Sequence, residues 1–138
     1  MADRRRRLLL HEFELQCDFA LRAYRDAAGM EARDEQGFWY AVQTLLNAAA
    51  QALGLAEALD YVAEPFQRGE LRAVENVRSA LERWGSSNPA FKAARSAGAE
   101  RSVVTLFGHT IDLAALLGAL AELRERARAE LRHFQEIV

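Results

Sequence analysis

The sequence has little of what usually announces a function. It carries one cysteine, Cys17, in 138 residues. No intrachain disulfide can form, which suits a reducing cytoplasm, where we expect the chain. No apolar run reaches the roughly 18–20 residues that a membrane-spanning helix requires, so no membrane association is expected. The basic cluster Arg4 to Arg7 and the Leu8-Leu9-Leu10 run behind it end at His11-Glu12, too short for a signal-peptide core. A net charge of −2 leaves no overall basic field to attract nucleic acid or an anionic membrane. Lysine is nearly missing: 17 of the 18 basic residues are arginine, so arginine-containing patterns arise readily by chance. There is no Gly-x-Ser-x-Gly, no glycine-rich phosphate loop and no Cys-x-x-Cys. The common supports of nucleophilic, nucleotide and redox chemistry are therefore missing, and no cofactor is expected.

What is present is helical periodicity. The length fits one domain, residues 1–138, large enough to bury a core without staples. The strongest stretch begins Phe38-Trp39-Tyr40. Its apolar residues Phe38, Val42, Leu45, Leu46, Ala49 and Leu53 step by four, three, one, three and four along one helix face. We expect this to be the central helix. Asp34 can cap it with Glu35 in the first turn, and Gly54 reads as its end. Leu55 to Ala63 reads as a short helical turn that Pro65 breaks.

Before it, Leu10, Phe13, Cys17, Ala20, Leu21 and Tyr24 predict a helix from Asp3, as N-cap, to Ala28, with Gly29 as stop. Residues 67–84 predict a further helix with a narrow seam of Leu71, Val74, Val77, Leu81 and Trp84. A narrow seam suits a helix interface between chains as well as a core. Gly85-Ser86-Ser87-Asn88 is a loop, and Pro89 opens a helical turn through Ser96. The texture then changes. Ser102 to Phe107 is β-branched and aromatic, Gly108-His109 reads as a turn, and Thr110-Ile111 follows. This predicts a small β-hairpin over about 102–111. Asp112 caps a last helix over 113–136 with the stripe Leu113, Leu116, Leu117, Leu120, Leu123, Ala127, Leu131 and Phe134. The expected fold class is mainly α: an antiparallel bundle of about four long helices, with the hairpin before the last one.

Each histidine has a carboxylate three residues away: His11 with Glu14, His109 with Asp112, and Glu130 with His133. Such pairs share a helix face, and carboxylate-bridged di-iron bundles use Glu-x-x-His. Those sites need two such pairs and two further glutamates aimed inward, which this pattern does not supply. They read as surface ion pairs, and no metal is expected. Cys17 falls on an apolar stripe and reads as a buried structural thiol. Arg124, Arg128 and Arg132 form a basic stripe that Glu122, Glu125 and Glu130 largely cancel.

The stretch Phe38-Trp39-Tyr40, Val42-Gln43, Leu45-Leu46 and Ala48-Ala49-Ala50 resembles a helix of uncharacterised bacterial HEPN-like proteins. The closing Val103-Val104-Thr105-Leu106-Phe107-Gly108, followed by Asp112-Leu113 and a long helix, is similar to that family's end. The two matches cover about half the chain and lie in the family's order. The resemblance implies a helical bundle, commonly dimeric. In many members it is a metal-independent ribonuclease that uses an Arg followed four to six residues later by His. The family's motif helix would correspond to 71–84. Anchoring on Glu75, Leu81 and Trp84 puts Asn76 at the histidine position and Arg72 one residue from the arginine position. Asn has no titratable ring, so it moves no proton near neutral pH. The expectation is therefore a non-catalytic HEPN-like domain, more a binding or assembly module than an enzyme. Arg72, Glu75, Asn76 and Arg78 are its candidate binding surface, a homodimer is expected, and the further partner is a protein or RNA. The dimer contact is expected on the 67–84 seam, with the central helix close behind. The alternative is an active endoribonuclease, of a kind found in toxin–antitoxin or defence systems. It would use Arg128 and His133, or Arg6 and His11, both pairs five residues apart.

Overall fold

A computed structural model describes residues 2–31, 33–61, 74, 95–98, 101–106 and 109–137. Among them are three long helices, α1 (Ala2–Ala28), α2 (Glu35–Ala58) and α3 (Leu113–Ile137), and three short strands, β1 (Arg95–Ala97), β2 (Val103–Leu106) and β3 (His109–Asp112). The protein is mainly helical, with a small antiparallel sheet in the order β1-β2-β3 just before the last helix. The expected helix over 67–84 lies outside the described residues except at Val74, which is helical, buried and part of the apolar core. At that position the seam serves the chain's own core.

The helices form where their apolar spacing predicts. Phe38, Val42, Leu45, Leu46, Ala49 and Leu53 are all buried in α2, and Leu10, Phe13, Cys17 and Ala20 in α1. The α3 stripe from Leu113 to Leu131 is buried, with Phe134 packed partly against it. Asp34 caps α2 by accepting the Gly37 N–H at 2.9 Å. Asp112, the last residue of β3, caps α3 by accepting the Ala115 N–H at 3.0 Å.

Five expectations need correction. Asp3 lies inside the first turn of α1, not before it. There its charge still favours the helix dipole. Gly54 does not end α2, which runs on to Ala58. Nothing stands within 4 Å of where its Cβ would be, so the helix carries an exposed glycine at a cost of about 1 kcal/mol. Arg95 and Ser96, read as the end of a helical turn, belong to strand β1, paired Arg95 to Leu106 and Ala97 to Val104. Their own side chains are no guide, because pairing with the β-branched β2 fixes them. His109 is not a turn residue but the first of β3, opposite Leu106. Finally, α2 has the most buried residues, yet α1 joins the bundle: it packs along both α2 and α3, which meet at few positions.

What ends α2 also places a key side chain. The Tyr61 N–H reaches the Ala56 carbonyl at 2.8 Å and the Asp60 N–H reaches that of Glu57 at 3.1 Å, with Asp60 at φ 59°. This is a Schellman ending in which Asp fills the left-handed position that glycine usually takes. The reversal drives Tyr61 inward, where its ring meets Phe13 edge-on at 6.0 Å. A second left-handed residue, Arg101 at φ 58°, lies in the β1–β2 connection. Its guanidinium sits 4.4 Å over the Phe38 ring and tethers the sheet to the start of α2.

Candidate functional site

Three sets of chemically active side chains surround α1. The first is a clamp at its N-terminal end. The Arg6 guanidinium grips the Glu130 carboxylate with two of its nitrogens, Nη2 lying 3.0 Å from Oε1, and Nη2 also reaches the Leu59 carbonyl at 3.3 Å. The Tyr61 hydroxyl donates to Glu130 Oε1 at 2.9 Å, and Arg126 lies 4.3 Å over the Tyr61 ring. The beginning of α1, the end of α2 and the C-terminal half of α3 thus meet in one cluster. The Arg6 hydrogen bonds hold the Glu130 carboxyl below its ordinary range, and Glu130 in turn raises Arg6. Burial, then the Glu130 hydrogen bond, pushes the Tyr61 phenol up to about 12. A carboxylate kept ionised and a phenol kept neutral make a structural tie, not a proton-transfer pair.

The second set is a ladder between α1 and α3. Arg124 Nη1 reaches Asp18 at 2.8 Å. Arg128 Nε reaches Glu14 at 2.8 Å, and its Nη1 reaches Glu125 at 3.0 Å. Beneath it lies Cys17, fully buried, whose thiol burial pushes up to about 12. A thiol in that state is no nucleophile.

The third is a groove of about 370 Å³ between the start of α1 and the end of α3, lined by Arg7, His11, Leu131, Phe134 and Gln135. The Arg7 guanidinium lies 5.7 Å from the Phe134 ring centroid.

These arrangements decide which expected residues meet. Residues five apart on a helix stand about 140° apart around its axis. Arg128 turns to α1 and is committed to Glu14, while His133 is exposed. Arg6 turns to Glu130, while His11 faces the groove. Neither expected Arg–His pair converges. The pair that does share a face is Arg7 and His11, four apart, which line one groove. Arg72, Glu75, Asn76 and Arg78 lie outside the described residues. The three carboxylates beside the histidines are engaged elsewhere: Glu14 with Arg128, Glu130 with Arg6 and Tyr61, Asp112 with the α3 N-terminus.

The outer face of α1 differs from all of these. Leu8, Leu15 and Phe19 are 64%, 44% and 46% exposed. Leu8 also borders an apolar groove with Leu9 and Leu55, edged by Arg4, Arg5 and Glu12. Comparison with protein-family models, with curated proteins and with solved structures finds no match for this chain.

Proposed function

We propose that the chain is a non-catalytic helical module of HEPN-like type that works by protein assembly, as a homodimer. One observation carries this reading: three arginines pair with carboxylates across the helices, while large apolar side chains of α1 are turned outward. Arg6, Arg124 and Arg128 are spent on carboxylates of neighbouring helices. Leu8, Leu15 and Phe19 stand open on α1. Exposed apolar surface of that kind supports protein association. No helix among the described residues is long and apolar enough to cross a membrane. Light scattering on the purified chain tests the reading. A dimer at micromolar concentration is expected, and a monomer there overturns it.

A second reading, metal-independent cleavage of RNA, draws on Arg7 and His11 in their shared groove. An imidazole beside a guanidinium could take a proton from a ribose hydroxyl and hold the phosphate. Labelled RNA incubated with the protein in the presence of a chelator separates the two readings. Intact RNA is expected. Cleavage that is lost in His11→Ala would replace the first reading with the second, and cleavage lost only in His133→Ala would restore the Arg128–His133 pair.

A further inference from the structure

The outer face of α1 carries a pattern that singles out its partner. Leu8, Glu12, Leu15, Phe19, Arg22 and Asp26 step by four, three, four, three and four. At 100° per residue they fall within about 80° of arc, turned away from the buried face. All six are exposed. The spacing is a palindrome about position 17, and the chemistry is nearly so. When a second α1 is laid antiparallel with position 17 on a two-fold axis, Leu15 meets Phe19 and Phe19 meets Leu15. Glu12 then meets Arg22 on each side, and Leu8 lies beside Asp26, whose carboxylate is in reach of the Arg4 and Arg5 flank. We infer that this face is the contact between two copies of the chain, packed as an antiparallel helix pair about a two-fold axis.

Three arguments favour a second copy over another partner. A two-fold interface must be self-complementary, each patch being its own mate. The four inner positions, 12, 15, 19 and 22, meet that condition in register, with apolar opposite apolar and acid opposite base. Its four-three spacing is that of a helix–helix seam, with side chains entering the gaps of the facing helix. The charges also select direction. A parallel pair would set Glu12 against Glu12 and Arg22 against Arg22, which like-charge repulsion opposes. The inference rests on the homodimer reading above and moves the contact from the 67–84 seam to α1.

The test is sedimentation equilibrium on the whole chain and on surface variants, with helix content checked by circular dichroism. Leu15→Glu is expected to give a folded monomer. Glu12→Arg and Arg22→Glu are each expected to weaken self-association by at least about tenfold, through two like-charge contacts per dimer. The double variant, which restores both pairs with the signs exchanged, is expected to recover most of it. Rescue in the double variant is an outcome that a merely disruptive mutation cannot produce. If the unmodified chain is a dimer and the folded variants remain as tightly dimeric, the α1 contact is wrong while the homodimer stands. If the unmodified chain is a monomer, both fail.

Discussion

Phe13 and Phe19 belong to one helix, six residues apart, and meet opposite surroundings. Phe13 has no exposed surface and packs its ring edge against Tyr61, whereas Phe19 is nearly half open. The charged residues around them divide in the same way. On the inner side Arg6 meets Glu130, and Glu14 and Asp18 meet Arg128 and Arg124. On the outer side Glu12, Arg22 and Asp26 are exposed. The difference teaches that residue type does not decide burial along α1; the presence of a neighbouring helix does. α2 and α3 supply that neighbour for the inner face, and the same ingredients stand exposed on the outer one.

The contrast is most sharply tested by truncating the inner ring. Phe13→Ala should destabilise the chain by about 3–5 kcal/mol, through lost apolar transfer and the cavity left behind. That is a large part of the roughly 5–15 kcal/mol available to a small domain. Denaturant titration measures it. Cys17, one turn further along the same face, supplies a second readout. Its thiol should resist a disulfide reagent in the native chain and become accessible in proportion to the opened fraction. Unchanged stability in Phe13→Ala would mean that the inner face is not the core.

Next in size is the clamp that closes the inner face at its end. Glu130→Gln keeps the shape and removes the charge that Arg6 and Tyr61 share, at a cost of about 1–3 kcal/mol. The pH dependence has a definite sign. Glu130 is held below its ordinary value of 4.5 in the folded chain. Its stabilisation is therefore whole above that value and lost as pH falls through the lowered one. The gap in melting temperature between the native chain and Glu130→Gln should be widest near neutrality and should close in acid. Tyr61→Phe is milder, about 1 kcal/mol for one hydrogen bond. It carries the opposite sign. A phenol raised from 10.0 to about 12 contributes in full below 10, and that contribution is lost as pH rises toward 12. The Phe variant should lack that alkaline loss.

The sequence made the inner face legible and left the clamp hidden, for a physical reason. Burial on a helix repeats every three or four residues, so Leu10, Phe13 and Cys17 declare their face locally. The caps at Asp34 and Asp112 are equally local, since each bonds an N–H three residues on. Arg6 and Glu130 are 124 residues apart in the chain, and Tyr61 and Glu130 are 69 apart. Glu130 has a nearer candidate in His133 by sequence, and only the crossing of α1 and α3 shows that it turns the other way. Strand β1 was hidden likewise, because its pairing partner lies across a connection and its residues have no strand pattern of their own. Gly54 misled in the other direction. An exposed glycine interrupts a helix by propensity alone, and the buried residues on both sides of it, Leu53 and Ala56 among them, outweigh that propensity. Of the candidate site, Arg7 and His11 were readable at a spacing of four, whereas the engagement of Arg6 and Arg128 was not.

The smallest effect expected is the most informative about the outer face. Phe19→Ser removes as much aromatic surface as a change at Phe13 would, yet the ring is already close to half exposed. In the isolated chain it should alter stability by no more than about 0.5 kcal/mol, as surface substitutions generally do. Measured at rising protein concentration, the same substitution should diverge from the native chain, because an assembled face adds stability by mass action and a disrupted one does not. The melting temperature of the native chain should therefore climb with concentration while that of Phe19→Ser stays flat. A loss of several kcal/mol at high dilution would show instead that Phe19 packs within its own chain, and the distinction between the two faces of α1 would collapse.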